Sequence, residues 1–405
     1  MKKILGITLG VVTSIGGFLD VGSIATSVQA GAAFGYSLLW ALLLGTVCVI
    51  FLVEMSGRFS AVSRHTVTDA IRKRFGFGTF IAPFTAGMLV NLLVLASEIG
   101  GVCIALQLIT GIGFQAWAIP VCVALWLLLW LGTFDVIEDG TALLGLVTLC
   151  FVAGVFALGA DFKEVAAGFV PTLPPSEKAH YLFLAVSIIG ATISPYLFLF
   201  YSSGAIEDKW DKTYLVANRI IAVTGMSFGS VIAMAVIVVA ALALQPLGIR
   251  VEEYQQAAIM LVPAFGKWGF YLFVASLAIA CFGAAIELSL ATAYSLAQAF
   301  GWAWGEDLEP RKAARFSLSY TAFIVLAGLI VLTGLNPIRL TLFSMALTAV
   351  ILPLSVIPFL VLMNDKRYIG EHVNGRFSNG VVVFIVGLAA LLAVVAIPLE
   401  IAGSK

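Results

Sequence analysis

Long apolar runs separated by short polar segments follow one another along the whole chain. A helix needs about 20 consecutive, mainly apolar residues to cross the hydrocarbon core of a bilayer. The pattern predicts eleven transmembrane helices, at residues 5–34, 37–60, 79–112, 115–133, 138–160, 179–205, 213–246, 264–300, 315–334, 337–364 and 377–402. We therefore expect an all-α integral membrane protein whose partner is the surrounding lipid bilayer.

The composition agrees with this class and excludes several others. Of 405 residues, 61% are hydrophobic and 11% are charged, whereas soluble domains have about 25% charged residues. The formal net charge is zero, and the basic residues are too scattered for a nucleic-acid surface. No Ser–His pair and no group of histidines lies at one membrane depth, so we expect neither an enzyme nor a bound cofactor.

The distribution of basic residues predicts the orientation. With the N-terminus inside, 16 of the 22 Lys and Arg residues fall in cytoplasmic segments, and the C-terminus lies outside. The first apolar run lacks a convincing cleavage site, so we interpret it as a retained helix. We expect one membrane domain spanning residues 1–405, with no soluble domain, in a bacterial inner membrane and as a monomer.

Two of the predicted helices are interrupted, and they lie five helices apart. Gly16, Gly17 and Gly22 weaken the first helix around "LDVGS", and Pro195 interrupts the sixth within "ATISPY". These residues would also fit simple kinks in packed helices. Broken helices at matching positions of two halves are typical of inverted-repeat transporters with a site at mid-membrane. This interpretation divides the chain into repeat one (5–160), repeat two (179–364) and an additional helix (377–402).

Acidic residues lie at the same depth as the breaks. Asp20 lies in the first helix, Glu98 in the third and Glu287 in the eighth. A carboxylate at this depth costs at least about 2.5 kcal/mol, so we favour a functional role for Asp20 over a helix cap alone. Glu98 would also fit an internal hydrogen-bonding strut. For Glu54, a salt bridge with Arg58 one turn later is the simpler interpretation.

Five segments carry a resemblance to a known family. In chain order they read "DVGSIATSVQAGAAFGYSLLWALLL", "TVTDAIRKRFG", "EIGGVCIALQLITGI", "IIGATISPYLFLF" and "PFLVLMNDKRYIGEHVNGR". Together they resemble the Nramp divalent-metal transporters, whose first motif is usually Asp-Pro-Gly-Asn, and the likeness covers essentially the whole chain. The resemblance implies the amino acid, polyamine and organocation transporter architecture: five-plus-five inverted repeats, broken helices 1 and 6, and an appended eleventh helix.

The chain departs from the family pattern at the metal site itself. Of the usual side-chain ligands only Asp20 remains. The Pro and Asn of the family's first motif are Val21 and Ser23 here, and its Asp one turn before Glu98 is Leu95. Its Met and two His of helix 6 are Ser194, Tyr196 and Tyr201, and its two Gln of helix 10 are Met345 and Ile351. The carbonyls that the family uses would belong to Gly17 and Ala191.

These changes alter the metal preference that the resemblance implies. A thioether favours later transition metals, so Ser194 in its place leaves a site of oxygen donors. Asp20, Ser23, Ser194, the two carbonyls and Glu287 would suit a hard, partly hydrated ion such as Mg²⁺, with Mn²⁺ also accommodated. The pattern resembles a divergent, magnesium-type branch related to Nramp.

The sequence leaves alternatives open for the driving force of transport and for the substrate. The family's proton-carrying histidines and Asp are replaced, so Glu98, Tyr196 and Tyr201 stay as proton-transfer or structural positions. The expected protein is a secondary transporter or a uniporter that works by alternating access, and uptake that follows the membrane potential is the alternative to proton coupling. The alternative is a protein of this fold that has lost the metal site and carries an organic or monovalent solute. A channel or sensor fits less well, because the sequence has no filter repeat and no sensor domain.

Overall fold

The computed structural model describes residues 20–131, 145–305, 308 and 310–403. Every regular element in these ranges is a helix. The elements of the first half are α1 (Val21–Phe34), α2 (Leu39–Ser63), α3 (Val67–Phe75), α4 (Phe77–Thr110), α5 (Phe114–Leu131), α6 (Leu149–Ala157) and α7 (Phe162–Ala167). Those of the second half are α8 (Lys178–Thr192), α9 (Pro195–Glu207), α10 (Leu215–Ala243), α11 (Tyr254–Ala257), α12 (Val262–Phe265), α13 (Lys267–Phe300), α14 (Ala314–Leu332), α15 (Pro337–Met363), α16 (Lys366–Ile369) and α17 (Arg376–Gly403).

Nine helices in the described part are long and apolar enough to cross a membrane, with α8 and α9 counted together as one broken helix. Each corresponds to a predicted segment, with ends that differ by a few residues. The other two predictions, 5–34 and 138–160, fall partly outside the described residues. Their described parts hold α1 and α6, which are 14 and 9 residues long. The number eleven and the inverted repeat stay predictions.

Helix α1 lies in the centre of the bundle. Every residue from Val21 to Ala32 is buried, and the helix packs against α8, α10 and α15. Small residues allow this close packing. At Gly31 an added Cβ would lie 2.3 Å from the carbonyl oxygen of Ile237 on α10. A helix enclosed on all sides in this way is suited to holding a site rather than facing lipid.

The predicted break in the sixth transmembrane helix is confirmed. Helix α8 ends at Thr192, Ile193 has non-helical dihedral angles, and α9 begins at Pro195. Ser194 has φ −70° and ψ 121°, the extended conformation that a residue before proline prefers. Proline then suits the first position of α9, because its missing N–H has no helical partner there. Sequence chemistry alone accounts for the position of this break.

Gly190 allows the end of α8 to approach α15 closely. A Cβ added at Gly190 would lie 2.0 Å from the carbonyl oxygen of Met345, whereas Gly204 on α9 has no atom within 4 Å of that position. We expect Gly190→Ala to lower the free energy of unfolding by about 1–3 kcal/mol, because backbone atoms must move apart. Gly204→Ala, the matched control, should be neutral or stabilising by up to about 1 kcal/mol. Thermal unfolding of both variants in one detergent tests this, and equal stabilities would contradict the close approach.

Candidate functional site

Asp20 is buried at the start of α1. Its backbone is extended, with φ −104° and ψ 177°, and its Oδ1 accepts a hydrogen bond of 2.6 Å from the backbone N–H of Ser23. The Ser23 side chain also hydrogen bonds to Asp20. The cap interpretation of Asp20 is therefore correct. The side chain is only 2% exposed, so a carboxylate there needs more compensation than a cap provides.

Glu98 of α4 meets the same helix end. Its Oε2 accepts a hydrogen bond of 3.1 Å from the backbone N–H of Val21, and the residue is completely buried. Within the described part of the chain, its Oε1 has no hydrogen-bond partner. Two carboxylates thus converge on the N-terminus of α1, where unpaired N–H groups and the helix dipole favour negative charge. Glu98 is both a strut for α1 and an acid beside Asp20.

The break in the sixth helix supplies two further oxygen atoms. The Ala191 carbonyl would normally accept from residue 195, but Pro195 has no N–H. The Ser194 hydroxyl donates to the carbonyls of Ala191 and Gly190, at 3.3 and 3.4 Å. These are long hydrogen bonds, and the Ser194 side chain does not cap α9. The Ala191 carbonyl thus lacks its usual backbone partner, and the Ser194 hydroxyl is held only by two long hydrogen bonds, so both predicted donors lie at the break with weak partners.

Tyr196 and Glu287 belong to the same neighbourhood. Tyr196, in the first turn of α9, is buried and lies within electrostatic range of Asp20, Glu98 and Glu287. Glu287 of α13 is half-buried and also acts electrostatically on Glu98. The structure thus brings Asp20 and Glu98, which are 78 residues apart in sequence, to one helix end.

Two predicted positions do not join this group. Tyr201 donates a hydrogen bond of 3.0 Å to the side chain of Asn218, whose Nδ2 donates to the Glu54 carbonyl. This places Tyr201 in a contact between α9, α10 and α2, consistent with its structural interpretation. Gly17 lies outside the described residues. The predicted Glu54–Arg58 salt bridge is present at 3.0 Å.

Met345 is a neighbour that sequence reasoning treated only as a lost glutamine. It is completely buried on α15, and a Cβ added at Gly22 would lie 2.6 Å from its sulfur. The thioether therefore packs against the first turn of α1, two residues from Asp20. The methionine is visible in the sequence, but the hydrophobic pattern of α15 does not indicate which side of that helix faces the break.

The described residues contain no group of three or more His, Cys, Asp or Glu side chains arranged to hold a metal ion. A cation at this site would need carbonyl, hydroxyl and water oxygens to complete its coordination. That mixture suits an ion that retains part of its hydration shell.

Comparisons with known proteins place this geometry in context. A family model described as "Natural resistance-associated macrophage protein-like" (Nramp) matches residues 10–398. The chain is 29% identical to the divalent metal cation transporter MntH of Xylella fastidiosa strain Temecula1, over 93% of this chain and 82% of that protein. It is 26% identical to the MntH of Yersinia enterocolitica, over 93% and 92%.

Solved structures share the fold. A manganese transporter of Eremococcus coleocola superposes with a TM-score of 0.75 at 20% identity, covering 98% of this chain and 86% of that one. MhsT in complex with L-phenylalanine superposes with a TM-score of 0.63 at 15% identity, covering 96% and 97%. At these identities the superpositions define the fold alone.

Proposed function

Because this chain belongs to the Nramp family, we propose that it carries a divalent metal cation across the membrane by alternating access. The observation that carries the proposal is the convergence of Asp20 and Glu98 on the N-terminus of α1, a helix that packs against α8 of the broken sixth helix. Relatives that align with 93% of the chain are named divalent metal cation transporters. Buried acids beside unpaired backbone carbonyls are suited to a cation rather than to a neutral solute.

The donor set favours a hard ion. Asp20, Ser23 and Ser194 supply side-chain oxygens, and Gly17 and Ala191 would supply carbonyls. Glu287 lies close enough to act on the site through its charge. Mg²⁺ binds such oxygens while retaining several waters, and Mn²⁺ accepts the same ligands. We propose Mg²⁺ as the preferred ion and Mn²⁺ as a second substrate.

The fold does not decide between a metal and an organic solute. Its neighbours include both a manganese transporter and a protein bound to L-phenylalanine. The side chains of the site favour a metal, because an uncharged organic solute would leave Asp20 and Glu98 with backbone N–H groups as their compensation and no cation. An organic or monovalent solute is therefore the less favoured alternative.

The driving force follows from the missing proton carriers. Tyr196 and Tyr201 stand where the family has histidines, so we propose uptake down the membrane potential. At about 100 mV this supplies roughly 2.3 kcal/mol per charge, or twice that for a divalent ion. The proposed setting is a bacterial inner membrane with the N-terminus inside, the C-terminus outside and a monomeric transporter.

Purified protein in liposomes tests the proposal directly. Uptake of Mg²⁺, Mn²⁺, Ca²⁺, Na⁺ and amino acids is compared under an imposed inside-negative potential, with protein-free liposomes as the control. We expect saturable uptake of Mg²⁺ and Mn²⁺, without stoichiometric acidification of the lumen. Uptake confined to Na⁺ or an amino acid would contradict metal transport, and a stoichiometric proton signal would contradict uptake by potential alone.

A further inference from the structure

A second set of polar side chains lies between α9 and α13, away from the site at the helix breaks. On α9, Ser203 and Glu207 follow Tyr196 by 7 and 11 residues, and on α13, Tyr294 and Gln298 follow Glu287 by the same intervals. Steps of 7 and 11 residues return to within about 20° of the same helix face and advance about 10 and 16 Å. Both helices thus present a polar stripe that begins beside the proposed ion site.

Hydrogen bonds join the two stripes. The Tyr294 hydroxyl donates to Glu207 Oε2 in a short hydrogen bond, and Gln298 Nε2 donates to Ser203 Oγ at 2.8 Å. Tyr294, Gln298 and Ser203 are all buried. Gly305 also approaches this point, since a Cβ added there would lie 2.8 Å from Glu207 Oε1. The four side chains therefore form one compact cluster, which we call the α9–α13 cluster.

One buried oxygen atom of the cluster, Gln298 Oε1, lacks a hydrogen-bond donor among the described residues. Gln298 is 3% exposed, and its Oε1 accepts no hydrogen bond from any described residue. A buried amide oxygen without a donor costs about 1–3 kcal/mol, so such atoms call for an explanation. A cation would satisfy this oxygen, and the carboxylate of Glu207, which is one turn from Ser203 on α9 and bonded to Tyr294 one turn from Gln298 on α13, would supply the charge.

We propose that the α9–α13 cluster is a second cation site, at which a partly hydrated divalent ion pauses after it leaves the site at the helix breaks. Glu207, Gln298 Oε1 and Ser203 Oγ are its ligands, and Tyr294 holds Glu207 in place while the site is empty. All are hard oxygen donors, and the set has a single full charge, which suits weak binding and rapid release. The inference rests on the proposed function, because its ion arrives from the site of Asp20.

Mn²⁺ binding in detergent, followed by electron paramagnetic resonance, separates the two sites. Asp20→Asn removes the charge of the first site, and we expect it to leave one weak Mn²⁺ site. In that background, Glu207→Gln should raise the Kd of the remaining site at least about tenfold. Glu371→Gln is the matched control, since it removes an exposed acid elsewhere, and it should change nothing.

Two further variants keep the proposal testable if Glu207→Gln does not fold. Gln298→Leu removes the unpartnered oxygen without changing charge and should also weaken the remaining site. Tyr294→Phe releases Glu207 from its hydrogen bond and should tighten Mn²⁺ binding, whereas a purely structural role for the pair predicts no effect on Mn²⁺. In liposomes, Glu207→Gln in otherwise unchanged protein should lower the kcat of uptake and leave kcat/KM unaltered, because entry is intact and release is slowed.

Different results would refute the proposed function and the second cation site. If Asp20→Asn binds Mn²⁺ as well as the unchanged protein does, the proposed function fails. If Asp20→Asn retains no Mn²⁺ site, or its remaining site is unaffected by both Glu207→Gln and Gln298→Leu, the second site is refuted while the first one stands.

Discussion

Asp20→Asn is expected to abolish divalent-cation uptake while leaving the protein folded. Asparagine caps helices as well as aspartate does, so the hydrogen bond from the Ser23 N–H to the side-chain oxygen should persist. The charge is lost, however. A unit charge about 4 Å from another contributes about 4 kcal/mol at an effective dielectric constant of 20, and more for a divalent ion. A loss of about 3 kcal/mol already corresponds to a more than 100-fold decrease in affinity.

A matched control exists on the same chain. Asp161 caps α7 in the same way, with its Oδ1 accepting from the Lys163 N–H at 2.8 Å, but it is exposed. Asp161→Asn should leave uptake unchanged. Both variants are compared for uptake in liposomes and for thermal unfolding in detergent. Normal uptake by well-folded Asp20→Asn protein would reduce Asp20 to a structural cap.

Local sequence rules predicted the elements of the fold well. Hydrophobic length located nine helices of membrane-spanning length in the described part of the chain, and the Ser-Pro pair located the break in the sixth, which falls at Ile193 and Ser194 directly before Pro195. The same rules identified the Asp20 cap and the Glu54–Arg58 salt bridge, because each depends on residues within one helical turn.

These local rules could not predict contacts between helices that are distant in sequence. The hydrogen bond from Val21 to Glu98 joins residues 77 positions apart, and it depends on which turn of α4 packs against the start of α1. The rotation of α9 directs Tyr201 toward Asn218, and that of α15 directs Met345 toward Gly22. Rotation of a buried helix cannot be read from its hydrophobic pattern when nearly all its faces are apolar.

Ser194→Met is expected to change the ion preference of the site. Ser194 is 5% exposed, and its hydroxyl makes only long hydrogen bonds to the carbonyls of Gly190 and Ala191. Since the side chain does not cap α9, its loss should not disturb the start of that helix. The longer side chain should displace water, which Mg²⁺ releases reluctantly and Mn²⁺ or Cd²⁺ exchanges more readily for a soft ligand. Mg²⁺ uptake should be lost, and relative binding of Mn²⁺ and Cd²⁺ should rise.

Ser194→Leu separates the chemistry of sulfur from the effect of size, because leucine and methionine have similar volumes. Either side chain costs about 1–3 kcal/mol in stability by overpacking this buried position. Because both side chains also displace water from the ion, both variants should lose Mg²⁺ uptake. Only the methionine variant should gain Cd²⁺ and Mn²⁺ binding, measured by calorimetry alongside the unchanged protein. If both variants fold and neither gains a soft-metal preference, residue 194 does not face the ion. An organic solute would then become the favoured substrate.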